Sequence, residues 1–113
     1  MYIMSGEYVS IRESVLEKLE ANLSEMQRRF GVDTLGIFGS VSRGEDTADS
    51  DVDVLYRFDE EHGRLSDIVG LHDYLADLFG REVDLISVEF VSPLIKDAVF
   101  ADAKLYGAVR SLA

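Results

Sequence analysis

Gly39-Ser40-Val41-Ser42-Arg43-Gly44, followed by Ser50-Asp51-Val52-Asp53, is the stretch whose reading decides the fold. An apolar run, Thr34 to Phe38, leads into it, and a second apolar-rich run, Val52 to Phe58, leads away. The pattern reads as strand, Gly-Ser turn opening a short helix, loop, strand. A turn of that kind presents unpaired backbone N–H groups at a helix start, which suits the negative oxygens of a phosphate chain. Asp51 and Asp53 stand two positions apart, so on a strand they share a face, roughly 6.6 Å apart at about 3.3 Å rise per residue. Two carboxylates on one face are the hard oxygen ligands that hold Mg²⁺ against a triphosphate. A phosphate cradle and a metal pair therefore adjoin in the sequence.

Outward from this centre the chain alternates helices and strands. Ile11, Val15, Leu19, Leu23, Met26 and Phe30 recur at helical spacing, with Ser10 and Glu13 as a capping box and Gly31 as the C-terminal cap. Val32 to Phe38 reads as the first strand and Asp51 to Phe58 as the second. Ser66 is placed to cap a helix to about Phe79, with Ile68, Leu71, Leu75 and Leu78 as its stripe and Gly80 at its end. Glu82 to Val88 reads as a third strand and sets Asp84 between Val83 and Leu85. Ser92-Pro93 suits the start of a last helix, running to about Tyr106 through Leu94, Ala98, Val99 and Leu105. The order α-β-α-β-α-β-α predicts an α/β (α+β) fold, with three strands in one small mixed sheet and helices packed against it.

The composition narrows the function. The 113 residues suit a single domain, 1–113, large enough to bury a core without staples. No cysteine is present, so no disulfide, thiolate metal site or thiol nucleophile is available. No apolar run reaches membrane-spanning length and the N-terminus lacks a leader pattern, which predicts a cytoplasmic protein with no membrane partner. A formal charge of −11 gives no general attraction for nucleic acid and favours a basic protein partner, or only solubility.

Rival readings of the charged residues can be weighed locally. Asp49, Asp51 and Asp53 alternate as in a calcium loop, and Glu60 falls at the twelfth position from Asp49. The sixth position, which needs glycine for its bend, is Val54, so that reading fails. Arg43 either pairs with Glu45 or Asp46 on the surface or offers its guanidinium fork to phosphate oxygens. Asp84 lies within an apolar strand, where a carboxylate must be paired, bound to metal or turned to water. His62 and His72 stand in polar surroundings and suggest no catalytic arrangement.

Gly-Ser, ten residues, then Asp-x-Asp resembles the signature of the DNA polymerase β-like nucleotidyltransferases. Arg-Gly after the Gly-Ser, in so short a chain, is similar to the minimal nucleotidyltransferases (MNT), a group that includes antitoxins paired with HEPN-domain ribonuclease toxins. The resemblance runs from about Thr34 to Val88. It implies a polymerase β-like palm, in which Gly39, Ser40 and Arg43 hold the outer phosphates of ATP. It also implies that Asp51, Asp53 and Asp84 ligate Mg²⁺, two ions in all, with Asp84 able to take the proton of an attacking hydroxyl.

The short remainder after the third strand leaves room for one helix, so the acceptor is expected to be positioned by a partner. The resemblance implies AMP transfer to a tyrosine of a HEPN toxin. A non-catalytic antitoxin acting by binding, or an adenylyltransferase for small molecules of the aminoglycoside type, are the alternatives. The apolar segments Tyr2-Ile3-Met4 and Leu105-Tyr106-Gly107-Ala108-Val109 either pack on the sheet or form a patch for a homo-oligomer or a hetero-complex.

Overall fold

The computed structural model describes residues 7–94 and 96–107. The long apolar stripe forms helix α1, Arg12–Phe30, which buries Val15, Leu19, Met26 and Phe30. Gly31 ends it in the left-handed region at φ +75°, its N–H on the Gln27 carbonyl at 3.0 Å. The helix start departs from the expected Ser10–Glu13 box. Asp46, brought from a loop far along the chain, accepts from the Tyr8 and Ser10 hydroxyls and from the Ile11 N–H at 3.2 Å. Ser10 Oγ accepts from the Arg12 N–H at 3.1 Å, and Glu13 turns to Arg12 Nη1 at 3.0 Å. A buried carboxylate must collect several donors to offset its lost hydration, and Asp46 finds them in two hydroxyls and the Ile11 N–H.

The remaining elements are β1 Val32–Phe38, α2 Gly39–Arg43, β2 Val52–Phe58, α3 Leu65–Phe79, β3 Val83–Ser87, a 3₁₀ turn Val88–Phe90, α4 Lys96–Asp102 and β4 Lys104–Gly107. Asp51 thus precedes β2 instead of opening it. Ser66 lies inside α3, whose start is fixed by Asp67: its carboxylate accepts from the Gly63 and Arg64 N–H groups at 3.0 and 3.1 Å. The sheet runs β3-β2-β1-β4. Strand β1 is antiparallel to both β2 and β4, and β2 and β3 are parallel across the α3 crossover. One cluster joins Val15, Leu19 and Met26 of α1, Leu71, Leu75 and Phe79 of α3, and Leu35, Ile37, Val52, Val54 and Val83 of the sheet. With a period of two, this places Asp53 and Asp84 on the face turned away from the cluster.

The last helix is shorter than the sequence suggests. It stops at Asp102, and Lys104–Gly107 forms a fourth strand instead. A continued helix would have left the outer edge of β1 with an unpaired row of backbone groups. Leu105 pairs with Gly36 of β1, and its side chain fills the space that a β-carbon at Gly36 would occupy. Leu105 and Tyr106 are therefore half-buried on the sheet. Tyr2-Ile3-Met4, Ala108 and Val109 lie outside the described residues. Among the described residues, no helix is long and apolar enough to cross a membrane.

Candidate active site

Phe38, the last residue of β1, pairs with Asp53 on β2, and Asp53 pairs with Asp84 on β3. Paired residues of neighbouring strands point to the same face, with the strands about 4.8 Å apart. The register therefore sets the Asp53 and Asp84 side chains next to each other, one strand over from the start of the Gly-Ser turn. Asp53 is half-buried and Asp84 exposed. Asp84 escapes the cost of burial because β3 is an edge strand that turns this side chain to water.

Gly39 adopts φ +74°, a conformation that side chains with a β-carbon disfavour. A β-carbon here would also collide with Asp53 Oδ2. The turn and the carboxylate are thus in direct contact, and only glycine allows both. Ser40 follows at the half-exposed rim, while Val41 and Ser42 are buried and anchor α2. Gly44, at φ +72°, closes α2, and the Glu45 N–H binds the Ser40 carbonyl at 2.8 Å.

Burial raises the Asp53 pKa above the ordinary carboxylate value, the charges of Asp84 and Asp51 raise it further, and Arg43 opposes them. Arg43 also pairs through Nε with Glu45 at 2.9 Å. The surface pairing expected for Arg43 is thus present with Glu45, and its charge also acts on Asp53. Among the described residues, no three carboxylate or imidazole groups stand close enough to cage an ion by themselves. Mg²⁺ seldom needs such a cage, because it keeps several waters and takes substrate phosphates as ligands. Clustered, mutually repelling carboxylates fit a cation of that kind.

The calcium-loop alternative is excluded, since Val54, at its sixth position, is fully buried within β2. His62 pairs with Asp59 and His72 with Asp73, and neither belongs to this cluster. Three residues beside the site had no signal in the sequence. Asp46 is only 6% exposed, not the surface partner of Arg43 that the sequence suggests, and Tyr8 and Arg81, 73 residues apart, converge on its loop.

Residues 16–106 match the model of the nucleotidyltransferase domain. The chain belongs to that family. This nucleotidyltransferase is 45% identical over 74 residues to the protein adenylyltransferase MntA of Thermococcus cleftensis, covering 66% of this chain and 74% of the relative. A solved structure assigned to the minimal nucleotidyltransferases is 35% identical with a TM-score of 0.70, over 82% of this chain and 93% of that one. A chain from a complex of a tri-AMPylated Shewanella oneidensis HEPN toxin with an MNT antitoxin is 18% identical at a TM-score of 0.53. That likeness covers 88% of this chain and 73% of the other and concerns the fold. The polymerase β-like palm expected from the motif is the fold observed, with one strand more than the sequence suggested.

Proposed function

We propose that this nucleotidyltransferase, acting as a single domain, moves AMP from ATP to a tyrosine hydroxyl of a HEPN-type toxin and thereby serves as its antitoxin in the cytoplasm. The observation that carries the reading is the register of Asp53 with Asp84, with the Asp53 carboxylate lying against the Gly39 turn. The similarity to a protein adenylyltransferase at 45% identity supports protein as the acceptor class.

Gly39 and Ser40 hold the β- and γ-phosphates through backbone N–H groups and the Ser40 hydroxyl, and the Arg43 guanidinium supports them. Asp51, Asp53 and Asp84 are the residues that would hold two Mg²⁺ ions, which neutralise phosphate charge and favour attack at the α-phosphorus. Asp84, exposed at the sheet edge, is placed to accept the proton of the incoming tyrosine hydroxyl. The tyrosine oxygen bonds to the α-phosphorus, the bond to the bridging oxygen breaks, and pyrophosphate leaves. The toxin, bound in a hetero-complex, presents the acceptor and shields the open site from water.

Incubating the chain with its co-encoded HEPN protein, α-labelled ATP and Mg²⁺ tests the proposal. Label is expected on a tyrosine of the partner, with release of pyrophosphate. A stable but unlabelled complex would instead establish inhibition by binding alone, and label on aminoglycosides but not protein would move the acceptor class to small molecules.

A further inference from the structure

We propose that Arg81 is a positioning residue that holds together the two chain segments bearing the carboxylates, an inference that rests on the transfer reading above and deepens it. Arg81 lies between Gly80, which ends α3, and β3, three residues ahead of Asp84. Its Nη1 donates to the carbonyls of Ser50 at 2.9 Å and Thr47 at 3.2 Å. Its Nη2 donates to the Tyr8 hydroxyl at 2.8 Å. Ser50 directly precedes Asp51. One step further, the Val52 N–H binds the Glu82 carbonyl at 2.9 Å, where β2 and β3 begin to pair.

The guanidinium thus bridges the arm that carries Asp51 to the root of the strand that carries Asp84. The arm is also closed on itself, with the Ser50 N–H on the Thr47 carbonyl at 3.1 Å and the Thr47 N–H on Ser50 Oγ at 2.8 Å. Tyr8, bound by Arg81, donates in turn to the buried Asp46 at the head of the same loop. Asp51 is exposed and precedes the ladder, so strand pairing does not hold it. It nevertheless stands two residues from Asp53, a like charge. Holding three acceptors at fixed angles suits a planar fork and not a single ammonium point.

The test compares Arg81→Gln and Arg81→Lys with Tyr74→Phe, which removes a 3.0 Å hydrogen bond to Asn22 between α1 and α3. Two quantities are measured: the Mg²⁺ dependence of transfer, and Mn²⁺ binding by the nucleotide-free chain followed by paramagnetic titration. Arg81→Gln should need about tenfold more Mg²⁺ and bind Mn²⁺ about tenfold more weakly, the scale of losing a residue that orients ligands. Its kcat at saturating Mg²⁺ should stay within about twofold, because the ligands themselves remain. Arg81→Lys should fall between it and wild type, and decides the question if the glutamine variant does not fold. Tyr74→Phe should lose stability without moving either metal readout.

Unchanged Mn²⁺ binding and Mg²⁺ dependence in Arg81→Gln would overturn the inference, as would an equal shift in Tyr74→Phe. Wild type that binds no Mn²⁺ without nucleotide would overturn the inference, because Arg81 would then hold no ready-made cation site. Wild type that binds Mn²⁺ but transfers nothing would remove the transfer reading, and the Mn²⁺ comparison alone would then decide the role of Arg81.

Discussion

Replacing Gly39 with alanine should separate the cost of backbone strain from the cost to chemistry. Gly39 holds φ +74°, and an L side chain in the left-handed region costs about 1–2 kcal/mol. In a chain of this size that lowers Tm by roughly 3–8 °C. The new methyl also meets Asp53 Oδ2, the free end of a side chain, so the carboxylate can retreat without the backbone moving. Reaching ordinary van der Waals contact requires it to shift by about 1 Å, and a misplacement of that size costs about 10²-fold in rate. Gly80→Ala measures the strain alone, since Gly80 has φ +66° and nothing lies within 4 Å of an added β-carbon. Thermal unfolding of both variants, with single-turnover AMP transfer by wild type and Gly39→Ala, is the assay. The two alanines should lose similar stability, and Gly39→Ala should also lose transfer about a hundredfold. Transfer at the wild-type rate by a folded Gly39→Ala would refute the contact between turn and carboxylate as a requirement of the site.

Asp53→Asn should stabilise the chain in EDTA. The folded pKa of Asp53 lies above its unfolded value, so the folded state binds more protons between the two, and this group's contribution to stability falls as pH rises through that interval. The advantage of the asparagine variant should thus be absent at low pH, complete above the folded pKa, and reduced by added Mg²⁺; a pH series of Tm values checks it. Arg57→Met removes two 3.0 Å bonds to the Asp33 carboxylate and should cost about 1–3 kcal/mol in denaturant unfolding, with AMP transfer unchanged. Gly36→Val should push Leu105 off β1, so amide exchange at residues 104–107 quickens while the amides shared by β1 and β2 stay protected.

What could be read in the sequence was local or periodic. The stripe of α1, the turn at Gly39 and the Asp51-x-Asp53 pair each follow from spacing along a few residues, and all took the expected form apart from the strand starting after Asp51. The Asp84 strand was legible because a charge inside an apolar run demands a reason. The fourth strand was not legible. Lys104–Gly107 is too short to show alternation, and its conformation follows from the bare edge of β1 and the missing side chain at Gly36, both distant in sequence. The start of α1 was not legible for a related reason, since Asp46 draws its donors from residues 35 or more positions away. The contact of Arg81 with Tyr8 spans 73 residues and leaves no trace in local spacing.

The most direct test of the account is AMP transfer by the Asp51→Asn, Asp53→Asn double variant, assayed with the proposed HEPN partner, α-labelled ATP and Mg²⁺. Both changes keep side-chain volume, and they remove two of the three carboxylates assigned to the site, one of them in contact with the Gly39 turn. The variant should keep the circular dichroism spectrum and cooperative unfolding of wild type and still bind the partner, but transfer no label. Undiminished labelling of the partner by the folded double variant would contradict the assignment of these carboxylates, and with it the proposed active site.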